Sequence, residues 1–310
     1  MKPVILLGPT AVGKTALAIE LAKELNGEII SADSMQVYRG MDIGTAKPTL
    51  EERRAIPHHL IDIRNPDEEW TVSDFIRESQ NSKVKIQNNG KIPILVGGTG
   101  LYLWSLLEGF SFPITPADKE VRTRLEILPL PTLYSLLSNV DPAAAAKIHA
   151  NDKKRLIRAL EVNELTGKTI SELQKARSFL PPTPYSLIGL NLPRPELYAR
   201  IEQRVDNMIV KGLVAEVKGL LAKGYSQELY SFQALGYKEV IDYLNGKWDE
   251  ATMVTELKKR TRNFARRQMT WFRRFSAKGG SASGGKDVKW FTPGEKDGIM
   301  ALCHAPDSKR

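Results

Sequence analysis

Hydrophobic positions follow two alternating rhythms over the first hundred residues. Short, nearly unbroken apolar runs are separated by stretches where apolar residues recur every three or four places. Pro3 to Gly8 is the first run and predicts a buried strand. Leu17, Ala18, Leu21 and Leu25 then fall at helical spacing, predicting a helix from Lys14 or Thr15 to about Leu25 that ends at Asn26-Gly27. Glu28 to Ser31 reads as a second strand leading into Asp33, His59 to Ile63 as a third, and Ser73 to Asn88 as a helix. Ile92 to Val96 is a fourth strand, followed by Gly97-Gly98-Thr99-Gly100 and a helix through Leu107. Apolar strands alternating with helices predict a parallel sheet covered on both faces.

The rhythm then changes. Ten of the 18 prolines lie between Pro113 and Pro195, so this stretch reads as helices joined by Pro-rich connections. Asp141-Pro142 before four alanines is a cap with proline at the first helical position, and Asp152 caps a further helix running to Thr166-Gly167. A strand near Leu187–Leu192 precedes long helices over roughly 195–224 and 250–275. Gly279 to Gly285 is a Gly/Ser-rich segment expected to be mobile, with a short strand at Val288–Phe291. The expected organisation is an α/β core over 1–112, a helical insertion over 113–186, the remainder of the core over 187–278 and a loose tail over 279–310. There are no internal repeats.

Composition removes several classes. Of 310 residues 42% are hydrophobic and 26% charged, which excludes wholesale disorder. A single cysteine, Cys303, excludes a disulfide framework and a Cys-built zinc site, and four histidines make a His-built one unpromising. The longest uncharged stretch, Ile92 to Leu107, is 16 residues broken by glycines, short of the ~20 that a spanning helix needs. With Val4 and the glycine-rich loop directly after Met-Lys-Pro, the expectation is a cytoplasmic protein without a membrane partner. Charge adds a direction: residues 1–110 hold 12 basic and 14 acidic side chains, residues 111–310 hold 33 and 22, so the whole excess of the +9 chain lies late, as on a polyanion-binding surface.

The most specific motif is Gly8-Pro9-Thr10-Ala11-Val12-Gly13-Lys14-Thr15, which fits G-x-x-x-x-G-K-[ST] and sits between a strand and a helix. In that P-loop-type context backbone N–H groups and the helix N-terminus cradle a phosphate, Lys14 adds a point charge and Thr15 offers a hydroxyl to magnesium. The loop does not say which phosphate. Nucleotide hydrolases carry an acid at the end of an apolar strand to hold magnesium, yet Ile92–Val96 ends in glycines and the acid ends the second strand, at Asp33. That suits transfer to a bound acceptor, the loop holding a diphosphate that leaves. Asp33 stands where open α/β sheets keep their active sites, as a general base or a magnesium ligand, and Ser34 and Gln36 can read a base edge. A plain helix cap is the competing role.

Five ordered segments carry a resemblance: the phosphate loop, Asp33-Ser34-Met35-Gln36-Val37-Tyr38, Asp42-Ile43-Gly44-Thr45-Ala46-Lys47-Pro48, Pro57-His58-His59-Leu60-Ile61-Asp62 and Gly97-Gly98-Thr99-Gly100-Leu101-Tyr102. With Arg155 to Glu161, Arg200 to Asp206 and Gly236-Tyr237, the chain from residue 3 to about 275 resembles the tRNA dimethylallyltransferase (tRNA isopentenyltransferase) family. The resemblance implies magnesium-dependent transfer of a dimethylallyl group from its diphosphate to the exocyclic amine of the adenine 3′ of the anticodon; separately, the chain is expected to act as a monomer. The resemblance also implies that Thr10 to Thr15 bind the donor, that Arg204 grips its diphosphate, and that Asp33 accepts the amine proton. Asp33, Ser34, Met35 and Gln36 would hold the flipped adenine, and Thr99 and Arg122 would touch tRNA.

Two basic clusters fit an RNA partner. Residues 255–278 carry nine basic side chains and one acid, Glu256, with Leu257, Phe264, Trp271 and Phe275 expected as the buried seam. Lys153, Lys154, Arg155 and Arg158 crowd the first turns of a helix, where positive charge opposes the dipole; the expectation is that they lack local compensation and form, with the basic helix, a clamp on the anticodon stem. Three rivals remain: a small-molecule kinase on the same loop, an isopentenyltransferase acting on free adenine nucleotides, and an RNA-binding module with a vestigial loop. His58 and His59 diverge as neighbours and read as structural, Trp70, Trp104 and Trp248 as core, and Cys303 as incidental.

Overall fold

The computed structural model of the chain describes residues 2–108, 117–175, 185–275 and 288–305. Its strands are β1 (Val4–Leu7), β2 (Gly27–Ser31), β3 (His58–His59), β4 (Ile92–Gly97), β5 (Ser186–Leu190) and β6 (Lys289–Phe291). They form one all-parallel sheet in the order β3-β2-β4-β1-β5-β6. The helices begin with α1 (Lys14–Glu24), α2 (Leu50–Ala55), α3 (Val72–Asn88) and α4 (Gly100–Glu108). They continue with α5 (Lys119–Ile127), α6 (Leu130–Val140), α7 (Pro142–Ala145), α8 (Lys153–Thr166) and α9 (Ile170–Lys175). Last come α10 (Arg194–Val210), α11 (Leu213–Ala222), α12 (Tyr237–Leu244), α13 (Glu250–Phe272) and α14 (Lys296–His304). They divide into two compact units, Met1–Ser105 with Pro182–Arg310, and Leu106–Pro181.

Every residue of β1, β2 and β5 is buried, which accounts for the apolar run of β1 and extends to Glu28 and Ser31 of β2 and Ser186 of β5. Side chains alternate between faces. Val4, Leu6, Ile94, Ile188 and Leu190 pack with Leu17 and Leu21 of α1, Leu197 and Ile201 of α10, and Ile299 and Cys303 of α14. The intervening Ile5, Leu7 and Leu95 are equally buried and face the other side, where α3 packs on β2 and β4. The phosphate loop, Asp33 and Gly97-Gly98 therefore leave the sheet together, at the carboxyl ends of β1, β2 and β4.

Four expectations need correction. The strand expected over His59–Ile63 is only His58–His59, because Leu60 and Asp62 turn the chain at φ 64° and 56° while Asp62 is drawn to Lys47 and Arg53, 2.5 Å from each. The helix expected over 195–224 is two, α10 and α11, broken at Gly212, whose φ of 94° a side chain would resist. The tail expected to be loose forms β6 and α14, and Cys303 is 3% exposed in the main core, its thiol pushed up to about 11 by burial. Gly279 to Gly285 lie outside the described residues. Of the expected seam Leu257 and Phe275 are buried but Phe264 and Trp271 only half so, and the buried stripe of α13 is Met253, Leu257, Thr261, Ala265, Gln268 and Phe272. A helix of about 3.6 residues per turn drifts off the seven-residue spacing of Leu257, Phe264 and Trp271. Trp271 instead lies against Gly100.

The second unit has its own core of Leu125, Leu133, Leu137, Leu156, Ile157 and Leu160. At its centre Glu161 is fully buried, and it accepts bonds from Arg122 Nε (2.8 Å), Arg122 Nη2 (3.1 Å), Arg158 Nη1 (2.6 Å) and the Asp118 N–H (2.8 Å). Burial pushes its carboxyl up, and these bonds outweigh that and hold it below the usual range. Asp152 caps α8 as expected, accepting from the Arg155 N–H (3.2 Å).

Candidate active site

The site grows from local sequence. β1 ends in the phosphate loop, and the loop opens α1 without a side-chain cap, leaving first-turn N–H groups to an anion. Lys14 turns back over the loop, its Nζ donating to the carbonyls of Gly8 (2.9 Å) and Pro9 (2.7 Å). Val12 is buried in the core below. Asp33, just past β2, accepts through Oδ1 from the N–H groups of Met35 (2.9 Å) and Gln36 (3.3 Å); Oδ2 accepts no bond from the described residues. The competing role of Asp33, a turn cap, is thus real, yet it occupies one oxygen only.

Lys14, Thr15, Asp33, Gln36, Arg204 and Gln268 line a single cavity of about 500 Å³. Burial drives the Lys14 pKa down to about 7, Arg204 pushes the same way, and Asp33 opposes both. Arg204 on α10 is lowered by burial, with Asp33 again opposing. Two enclosed cations share one carboxylate, so the cavity holds excess positive charge that an anionic ligand would satisfy.

Thr45 and Ala46 line the same cavity, and the segment 42–46 that carries them is held from α11. Glu216 on α11 accepts from the N–H groups of Asp42 (3.0 Å), Ile43 (2.8 Å) and Gly44 (3.3 Å) and from the Tyr237 hydroxyl (2.5 Å). The Thr45 and Ala46 carbonyls then accept from Gln36 Nε2 at 3.3 Å each, while Gln36 Oε1 accepts from the Ser31 hydroxyl (2.9 Å). Gln36 is thereby oriented by its surroundings. Replacing Glu216 with Ala strands three N–H groups. It is expected to raise the acceptor KM about 30-fold, some 2 kcal/mol, with donor binding unchanged. Steady-state kinetics with each substrate varied in turn checks this.

Not every expected residue meets the cavity. Ser34 and Thr99 lie beside it, bonded to each other through the Ser34 N–H and Thr99 Oγ1 at 3.3 Å, and Met35 contributes its backbone to Asp33. Arg122, Lys153, Lys154, Arg155 and Arg158 belong to the second unit. The lack of compensation expected for Lys153, Lys154, Arg155 and Arg158 does not hold for three of the four, and Arg122 is likewise paired. Arg122 and Arg158 bind Glu161, Lys153 Nζ donates to the Glu126 carbonyl (2.6 Å), and Arg155 pairs with Asp152 at 3.4 Å. Lys154 is exposed. The basic helix is also better neutralised than its own sequence suggests. Lys258, Arg260 and Arg262 pair with Asp206, Glu239 and Glu202 from α10 and α12. Only its C-terminal part, Arg266, Arg267, Arg273 and Arg274, is exposed with no ion pair among the described residues.

Sequence reasoning missed Gln268, Glu216, Arg200 and His58 at the site. His58 lines the cavity, its Nδ1 2.7 Å from the Ile56 carbonyl and its pKa lowered by burial, whereas His59 is structural, 2.7 Å from Glu28. Trp70 is buried, and Trp248 lies between Lys247 and Arg260.

These features define a parallel α/β protein with an uncapped strand–loop–helix turn after β1 and a carboxylate just past β2, the next strand but one in the sheet. The family described as IPP transferase matches residues 36–275. The chain is 52% identical over 276 residues to a tRNA dimethylallyltransferase of Heliobacterium modesticaldum, covering 87% of this chain and 86% of the relative. It is 49% identical to that of Alkaliphilus oremlandii, covering 98% and 96%. Among solved structures it is similar to the full-length tRNA isopentenylpyrophosphate transferase of Bacillus halodurans (42% identity, TM-score 0.69, 97% and 94% covered). It is also similar to a eukaryotic dimethylallyltransferase acting on tRNA (33% identity, TM-score 0.78, 94% and 74% covered). The chain belongs to the IPP transferase family.

Proposed function

We infer that the protein transfers a dimethylallyl group from dimethylallyl diphosphate to the exocyclic amine of the adenine 3′ of the anticodon in tRNA. The observation that carries this is the convergence of Lys14, Arg204 and Asp33 on one cavity. The allylic C–O bond breaks as the N–C bond forms. The electron pair leaves on diphosphate, which Lys14, Arg204 and the loop amides stabilise, and the amine proton passes to Asp33. The Thr15 hydroxyl is a hard oxygen donor of the kind magnesium takes alongside substrate phosphates, and the ion would supply further charge stabilisation to the diphosphate. An adenine in a loop must be extruded to reach Asp33, and Gln36, whose Nε2 hydrogens are taken by the Thr45 and Ala46 carbonyls, would read its edge through the remaining acceptor capacity of Oε1.

The second unit, together with Arg266 and Arg267 of α13 and Arg273 and Arg274 just beyond it, supplies phosphate contacts in this reading. Lys154→Glu is expected to weaken tRNA binding and to reduce the slope of log K against log salt by roughly 1–2. Binding measured from 50 to 200 mM salt checks it, and an unchanged slope removes Lys154 from the interface. No helix among the described residues is long and apolar enough to cross a membrane.

Single-turnover transfer of label from dimethylallyl diphosphate tests the function, with an anticodon stem-loop and AMP as acceptors. Transfer to the stem-loop alone is the expected result. Transfer to AMP alone identifies an enzyme of free nucleotides, and ATP turnover with neither acceptor labelled identifies a kinase.

A further inference from the structure

Gln268 has no place in the reaction as derived so far, yet it is one of few polar side chains in the core, 5% exposed on the inner face of α13. Both ends of its amide are used. Oε1 accepts from the Thr10 N–H of the phosphate loop at 2.8 Å, and Nε2 donates to the Gly98 carbonyl at 3.0 Å. The sequence separations are 258 and 170 residues, so neither bond follows from local structure. Gly98 is shaped to this contact: a Cβ there would lie 2.2 Å from Gln268 Nε2.

The chain of contacts continues past Gly98. Thr99 Oγ1 accepts from the Ser34 N–H at 3.3 Å, and the Thr99 N–H donates to the Ala32 carbonyl at 3.4 Å. Ala32 and Ser34 flank Asp33. Two loops that leave different strands, one carrying the donor site and one the base, are therefore spanned by a single amide and the turn it holds. Backbone pairing between β1, β4 and β2 fixes the strands, but beyond Leu7, Gly97 and Ser31 the ladder ends and the loops need another tie.

We propose that Gln268 is a positioning residue for prenyl transfer: it sets the distance between the diphosphate held on the phosphate loop and the acceptor amine held at Asp33. The inference rests on the transfer reaction proposed above. Displacement at an allylic carbon needs the nucleophile held close to that carbon and away from the leaving diphosphate. A misplacement of about 1 Å costs on the order of 10²-fold in rate. A tie of this kind acts on the rate of transfer, since each substrate still meets an intact half-site.

Three variants test it. Gln268→Glu keeps the acceptor for Thr10 and loses the donor to Gly98; Gln268→Leu loses both; Gly98→Ala leaves Gln268 in place and displaces its amide. Each is compared with wild type for transfer from labelled dimethylallyl diphosphate to an anticodon stem-loop, with the thermal midpoint recorded. The expected result is a kcat lower by roughly 30- to 100-fold, with both KM values within about 3-fold, and a rising share of donor lost to water rather than to RNA. A kcat within about 3-fold of wild type in Gln268→Glu and Gly98→Ala overturns the proposal, as does a loss confined to donor KM, which marks Gln268 as a loop brace only. Should Gln268→Leu fail to fold, the other two variants decide. Wild type that labels no RNA rejects the transfer reading itself, an outcome distinct from active wild type with indifferent variants.

Discussion

Asp33→Asn lowers the rate of single-turnover transfer by about 10³-fold while leaving donor affinity within about 3-fold, because only the acceptor half of the reaction uses its charge. The amine of adenine is a weak nucleophile, its lone pair being shared with the ring. A carboxylate hydrogen-bonded to it takes up the positive charge that develops as the N–C bond forms. Asn keeps the shape: its Oδ1 can accept from Met35 and Gln36 as Asp33 does at 2.9 and 3.3 Å, so the turn beyond β2 survives. What is lost is an oxygen able to receive a proton. One side effect must be separated out. Asp33 raises the Lys14 and Arg204 pKa values, so its neutralisation lets Lys14 fall below about 7 and weakens its hold on the donor near neutral pH. The comparison therefore belongs at pH 6, below the wild-type Lys14 value of about 7, with donor affinity measured for both proteins at that pH. A loss below tenfold there removes Asp33 as the base and leaves it the role of a turn cap.

What the sequence disclosed of this site follows the range of the interactions involved. The phosphate loop, α1, and the capped helices at Asp141 and Asp152 are legible because their signals lie within a few residues of one another. β3 is less so, since its end is decided by Asp62 meeting Lys47 and Arg53, and no periodicity records an ion pair. Gln268 and Glu216 were invisible for the same reason in stronger form. A glutamine in a basic helix and a glutamate in an ordinary amphipathic one look solvent-facing. Only the fold brings Gln268 to Thr10 and Glu216 to the amides of segment 42–44. The charge count misled in the opposite direction. Summed along residues 255–278 it suggests a bare polycation, whereas Asp206, Glu239 and Glu202 arrive from neighbouring helices and leave only Arg266, Arg267, Arg273 and Arg274 without an ion pair among the described residues. Net charge drew attention to α13, and packing removes part of the charge it offers.

Lys14 predicts the largest effect on the donor and a pH dependence with a defined sign. In the protein without donor its pKa is about 7, set first by burial and then by repulsion from Arg204. A bound diphosphate restores the preference for the charged form. Below pH 7 Lys14 already holds its proton, and binding takes up none at this site. Above pH 7 the proton must be acquired on binding, so donor affinity falls by up to about tenfold per pH unit, and calorimetry in buffers of different ionisation enthalpy records an uptake approaching one proton by roughly pH 8.5. Lys14→Met abolishes the uptake and costs about 10²- to 10³-fold in kcat/KM, as expected when one donor to a developing oxyanion is removed. Lys14→Arg separates charge from geometry. A guanidinium stays protonated throughout, so its profile above pH 7 is flat. It cannot place a compact ammonium over the Gly8 and Pro9 carbonyls, so it recovers only part of the rate. Donor binding that is indifferent to pH between 7 and 9 in wild type, with no proton taken up, places Lys14 outside the diphosphate site. The charge would then fall to Arg204 and the loop amides alone.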